Sequence, residues 1–155
     1  MNTDVKRAAS NPNDSGRLVC KDGFIRYSSG CYGTWELPIT DIRIIGECTN
    51  ENGPDLDDYF FVFLTASRSE WWEASFYTDD REVFFATLAP SFHEIAPLGL
   101  VGSTTFNSRV LWPPKHHGRE LFKFTKLPRQ PGIFGWLKSW VTFGRIEQRI
   151  ADGLD

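Results

Sequence analysis

The stretch YFFVFLTA, residues 59–66, decides how this chain of 155 residues folds. In an extended backbone successive side chains point to opposite faces. Tyr59, Phe61 and Phe63 then share one face, and Phe60, Val62 and Leu64 share the other. Both faces are apolar, so the strand must be covered on both sides.

The flanking segments supply neighbours for it. EWWEASFYT (70–78) alternates, with Trp72, Ala74 and Phe76 on one face and Trp71, Glu73, Ser75 and Tyr77 on the other. ITDIRIIGECT (39–49) places Ile42 and Ile44 opposite Arg43, which predicts a half-buried strand. Between them NENGPDLDD (50–58) is a charged loop shaped by Gly53-Pro54. Upstream, Asp22-Gly23 separates RLVC (17–20) from FIRYS (24–28), a hairpin signal because that turn needs positive φ. TWELPI (34–39) follows, and Pro38 ends it or sits on an edge.

Downstream, Thr78 or Asp79 is placed to cap a helix over 79–92. Asp80 and Glu82 fall in its first turn, where acids suit the dipole. That helix buries Val83, Phe84 and Leu88 and stops near Pro90. A connector rich in Gly, Ser and Thr (97–108) leads to two more strands, RVLW and ELFKFT. From Pro131 the tail reads as a second helix. On a wheel of about 100° per residue, Lys138, Arg145 and Arg149 fall within about 40° of each other. Ile133, Trp136, Leu137, Trp140, Phe143, Ile150 and Leu154 spread over the other side.

These readings predict an α+β domain: a strongly bent antiparallel sheet or partial β-barrel of about eight short strands with two helices. Its parts are a flexible leader (1–16), the α+β domain (17–127) and a C-terminal amphipathic helix (128–155) packed on it. Hairpins followed by a capping helix resemble a PH-like barrel in segment order. The strands after the first helix depart from that plan.

Composition bounds the function. Hydrophobic residues make up 41% and charged residues 24%, which suits one folded domain rather than a disordered chain. Residues 41–82 hold eleven acids and three bases, a net of −8, whereas 109–149 hold nine bases and two acids, a net of +7. The expectation is that these two regions attract each other across the fold. Cys20, Cys31 and Cys48 are odd in number and form no CxxC pair, which argues against a disulfide framework or a zinc site. The polar start carries no apolar stretch of the secretory kind, and no apolar run approaches the roughly 20 residues that span a bilayer. The expected compartment is the cytoplasm, with the inner face of a membrane as an alternative.

No glycine-rich phosphate loop and no GxSxG elbow occurs. Nucleic acid is disfavoured as a partner by a pI of about 5.6. His116 and His117 sit between Pro114 and Gly118, so they read as exposed residues of a turn. Neighbouring side chains of an extended chain do not converge on one metal. Glu70 and Glu73 lie three apart on a strand and face opposite ways, which excludes paired acid–base work. Trp71 shares a face with Glu73 and Tyr77, as a stacking platform or as packing under the second helix; packing is favoured.

The reading is a non-catalytic binding module, with no cofactor and no metal, whose partner is a protein or small molecule. Its candidate surface is Trp71, Glu73, Tyr77, His116 and His117. The first alternative is docking on a membrane surface through Trp136, Lys138, Trp140, Arg145 and Arg149, as an interfacial helix would. The second is an enzyme of unassigned class.

Overall fold

A computed structural model describes residues 14–67, 70–126 and 146–154. Six strands come first: β1 (Arg17–Lys21), β2 (Phe24–Ser29), β3 (Gly33–Pro38), β4 (Ile44–Thr49), β5 (Tyr59–Leu64) and β6 (Trp71–Ser75). Helix α1 (Arg81–Leu88) follows, then β7 (Asn107–Trp112), β8 (Phe122–Lys126) and β9 (Ile146–Ile150). They form three antiparallel sheets, ordered β1-β2-β3, β6-β5-β4-β7 and β8-β9.

The four-stranded sheet is the middle layer, and β5 shows why. Phe61 and Phe63 enter one core with Leu18, Ile25, Tyr27 and Leu37 of the first sheet, and with Phe84, Leu88 and Phe92 from α1 and the turn after it. Phe60, Val62 and Leu64 enter a second core with Leu121 and Phe122, against which Phe124, Ile150 and Leu154 pack. Both faces of residues 59–64 are thus covered, as their pattern requires. Trp71 meets Phe122 in this second core, ring centroids 5.0 Å apart. Gly46 lets the β8–β9 layer close in, since a Cβ there would lie 2.5 Å from the Leu121 side chain.

Several expectations are corrected. In place of one bent sheet or partial barrel there are three sheets and no closed barrel: a 3-10 turn at Ile39–Asp41 separates β3 from β4, and the two belong to different sheets. Ile42 caps that turn ahead of β4 and enters the first core, whereas Ile44 enters the second, so the two do not share a face. β4 is buried along its whole length rather than half-buried, because its two faces enter the two cores, Ile45 the first and Ile44 and Cys48 the second. The two strands after the helix belong to different sheets: β7 pairs with β4, and β8 with β9.

Helix α1 is shorter than expected. It starts at Arg81, its N-cap Asp80 sits at φ 56° without a side-chain cap, and a 3-10 turn containing Pro90 follows it. Thr78 instead donates its hydroxyl to the Gly16 carbonyl. Phe84 and Leu88, one turn apart, face the core, which leaves Val83 64% exposed.

One α-helix, not two, is present among the described residues. Residues 146–150, expected as helix, form β9, because Gln148 and Ile150 turn inward while Glu147 and Arg149 are exposed. A strand satisfies that period of two, and a helix does not. The remainder of the expected tail helix, with Trp136, Lys138, Trp140 and Arg145, lies outside the described residues.

Candidate functional site

A cavity of about 700 Å³ opens at the end of the middle sheet, between the 51–58 loop, the β2–β3 turn and the chain leaving β6. Asp55, Asp57 and Asp58 line it together with Pro54, Leu56, Tyr32, Tyr77 and Ser15. Three of the five large apolar or aromatic residues that stand exposed among the described residues are here: Tyr32, Leu56 and Tyr77.

Local hydrogen bonds place each wall. The Ser29 hydroxyl accepts from the backbone N–H groups of Cys31 and Tyr32 and donates to the Asp14 carbonyl. Asp14 also accepts from the N–H groups of Gly16 and Gly30, so residues 14–16, counted with the leader, are tied to the turn. Tyr32 then leans edge-on against Phe60 at 5.4 Å. On the opposite wall, Ser75 Oγ donates to Asp57 at 2.5 Å and accepts from the Tyr77 N–H. Tyr77 donates its hydroxyl to Asp58 at 2.8 Å. Asp58 folds over Gly53, and a Cβ there would oblige that carboxylate to shift.

Behind the cavity, the buried Tyr27 hydroxyl donates to the Ser15 carbonyl at 2.7 Å and accepts from the Ser75 N–H. It therefore joins the first and middle sheets at this end. Desolvation, with Asp58 and Asp57 nearby, pushes the Tyr77 phenol up to about 12, so it stays a neutral donor. Desolvation raises Tyr32 as well.

Of the residues singled out from sequence, only Tyr77 reaches this cavity. Trp71 and Glu73 are half-buried and bonded to each other, Trp71 Nε1 donating to Glu73 Oε1 at 2.8 Å. Trp71 thus packs, as favoured, but under β8 rather than under a helix. Desolvation raises the Glu73 carboxyl, partly offset by the hydrogen bonds from Trp71 and Gln148.

His116, expected exposed, is buried in a 3-10 turn, with Nδ1 3.2 Å from Arg119 Nη1. Desolvation holds its imidazole below the usual range, and Lys115 and Arg119 add to this. His117 remains exposed. The loop closes tightly, with Val110 N–H donating to the Arg119 carbonyl and Gly118 N–H to the Val110 carbonyl, which turns one imidazole inward. Arg149 lies on β9 within 3.9 Å of Asp152. Among the described residues no three His, Cys, Asp or Glu side chains are grouped to hold a metal.

Comparison with protein-family models, with curated proteins and with solved structures finds no match.

A further polar cluster centres on Glu47, which no motif in the sequence marks. This side chain is fully buried at the centre of β4. It accepts from the Tyr59 hydroxyl and from the Gly99 N–H at 2.8 Å, and lies 3.6 Å from Arg109 Nη1. Burial and the bond to Glu47 push the Tyr59 phenol well above its ordinary value. The Glu47–Arg109 pair joins the acidic middle of the chain to its basic end. A charged residue inside an otherwise apolar strand was the available signal. Asp57 and Asp58 carried none, because solvated loops routinely hold such acids.

Proposed function

We propose that this chain is a non-catalytic binding domain whose ligand seats in the cavity walled by Tyr32, the 54–58 loop and Tyr77. One observation carries the reading: exposed aromatic and apolar side chains, otherwise sparse among the described residues, converge with oriented carboxylates in one concavity. Concave sites with apolar walls and a few placed polar groups are where small ligands and side chains bind. The reading puts the domain in the cytoplasm, where Cys20, Cys31 and Cys48 stay reduced.

Fragment binding followed by amide chemical shifts tests it, with neutral, anionic and cationic fragments in separate pools. Hits should cluster on residues 32, 54–58 and 77. Hits scattered elsewhere, or none at millimolar fragment, would overturn the reading.

A second reading, docking on an anionic membrane surface, is favoured by a different observation. The second face of the middle sheet is already covered by β8, β9 and Leu154. Residues 127–145, outside the described residues, hold Arg129, Lys138 and Arg145 with no acid, beside Phe134, Trp136, Trp140 and Phe143. That composition suits a headgroup interface. No helix among the described residues is long and apolar enough to cross a membrane. Full-length protein should sediment with vesicles containing phosphatidylserine, and a Trp136→Ser/Trp140→Ser variant should not. Wild type left in the supernatant rejects this route.

A further inference from the structure

Resting on the binding reading above, we infer that the cavity takes an organic cation on an apolar stem, the lysine or arginine side chain of a peptide partner. The charge of the walls points that way. Three carboxylates line the cavity, and among the described residues no basic one does. Two of them are held by neutral donors, Asp57 by Ser75 and Asp58 by Tyr77, so their charge is oriented but not neutralised. Among the described residues, no Lys or Arg forms an ion pair with Asp55, Asp57 or Asp58. An anion entering here would meet like charge at close range.

The walls select the kind of cation. Tyr32 and Tyr77 are 36% and 49% exposed, and the Tyr77 hydroxyl is committed to Asp58, which leaves ring surface for contact. Aromatic surface beside carboxylates favours ammonium and guanidinium groups. Leu56, 59% exposed, and Pro54 offer apolar area for the methylene stem that such a head trails behind it. A bare divalent cation fits less well. It needs several oxygens converging at about 2–2.6 Å, and the acids here are not grouped in that way. The floor is set in advance by the Tyr27 bonds to Ser15 and Ser75, so little ordering is required on binding.

The test titrates pentalysine, fully Nε-acetylated pentalysine and pentaglutamate into the full chain, read by amide shifts and calorimetry at low and high salt. Pentalysine should shift residues 32, 54–58 and 77, and acetylation should weaken binding at least about tenfold. Raising salt from about 0.05 to 0.5 M should weaken it further, because the contacts are partly exposed. Asp57→Asn/Asp58→Asn should lose the response. Asp79→Asn/Asp80→Asn, acids outside the cavity, should keep it. Amide spectra of both variants confirm that they fold.

Equal binding of acetylated and free pentalysine at the cavity would overturn the cation while leaving the binding reading intact. Pentalysine binding that survives Asp57→Asn/Asp58→Asn, or is lost equally in the Asp79 and Asp80 variant, would show diffuse attraction and overturn it too. No peptide response at millimolar pentalysine would also overturn it, whereas the fragment experiment judges the binding reading separately.

Discussion

Replacing Glu47 by alanine should destabilise the domain by about 3 kcal/mol, at the lower end of the range for breaking a buried charged pair. The figure follows from what the change strands. Tyr59 is 3% exposed, so its hydroxyl loses its acceptor with no water to replace it, costing about 1–3 kcal/mol. Arg109 keeps 27% of its side-chain surface in solvent and recovers part of its hydration, which holds the total down. Glu47→Gln retains an acceptor for one donor and should cost about 1–2 kcal/mol. The decisive measurement is a double-mutant cycle with Tyr59→Phe, by urea unfolding at pH 7 and 25 °C with tryptophan fluorescence. Once phenylalanine removes the hydroxyl, Glu47→Ala no longer strands it, so the two changes should couple by about 1–2 kcal/mol. Melting of Glu47→Ala should fall by about 6–12 °C for a chain of this size. A cost below about 1 kcal/mol, or a cycle additive within about 0.5 kcal/mol, would refute the reasoning.

Three further outcomes are expected. Gly46→Ala should cost about 1–3 kcal/mol in the same urea assay, because its Cβ meets Leu121 and lies 2.8 Å from the Arg109 carbonyl; an unchanged midpoint would mean the β8–β9 layer moves away freely. Phe122→Ala should cost about 3–5 kcal/mol, since the ring is fully buried between the middle sheet and β9; a loss below about 1 kcal/mol would deny that layer a structural role. Glu73 titrates above its ordinary value in the fold. Its favourable contribution is therefore fully present below about pH 4.3 and is lost as pH rises through the raised value. Glu73→Gln should thus gain urea midpoint over wild type between pH 4 and pH 7. A difference independent of pH would contradict the raised titration.

Much of the β framework was legible because it rests on short periods. Six strands before the helix, the Asp22-Gly23 hairpin and the two faces of β5 and β6 all follow from alternation and turn chemistry within a few residues. The errors fell where two periods compete. Ile146–Ile150 matches a helical wheel and a strand about equally, and the pairing with β8 settled it. Val83 and Phe84 are both apolar neighbours, and only the packing of α1 chose which one faces inward. At the candidate site, Tyr77 was expected on the strand face of Trp71 and Glu73, but it lies in the turn after β6, apart from both. Tyr32 and the aspartates were missed because the loop and turn that carry them are distant in sequence and adjacent in space.

By itself the sequence determined that residues 59–64 must be sandwiched, since three aromatic or aliphatic side chains on each side of one strand cannot all face water; that claim needs only the alternation of the backbone. Which segments do the covering, where Glu47 finds its partners, and which loop acids gather around two tyrosines were decided by tertiary structure alone. Those outcomes depend on contacts between residues tens of positions apart, whose geometry no local period encodes.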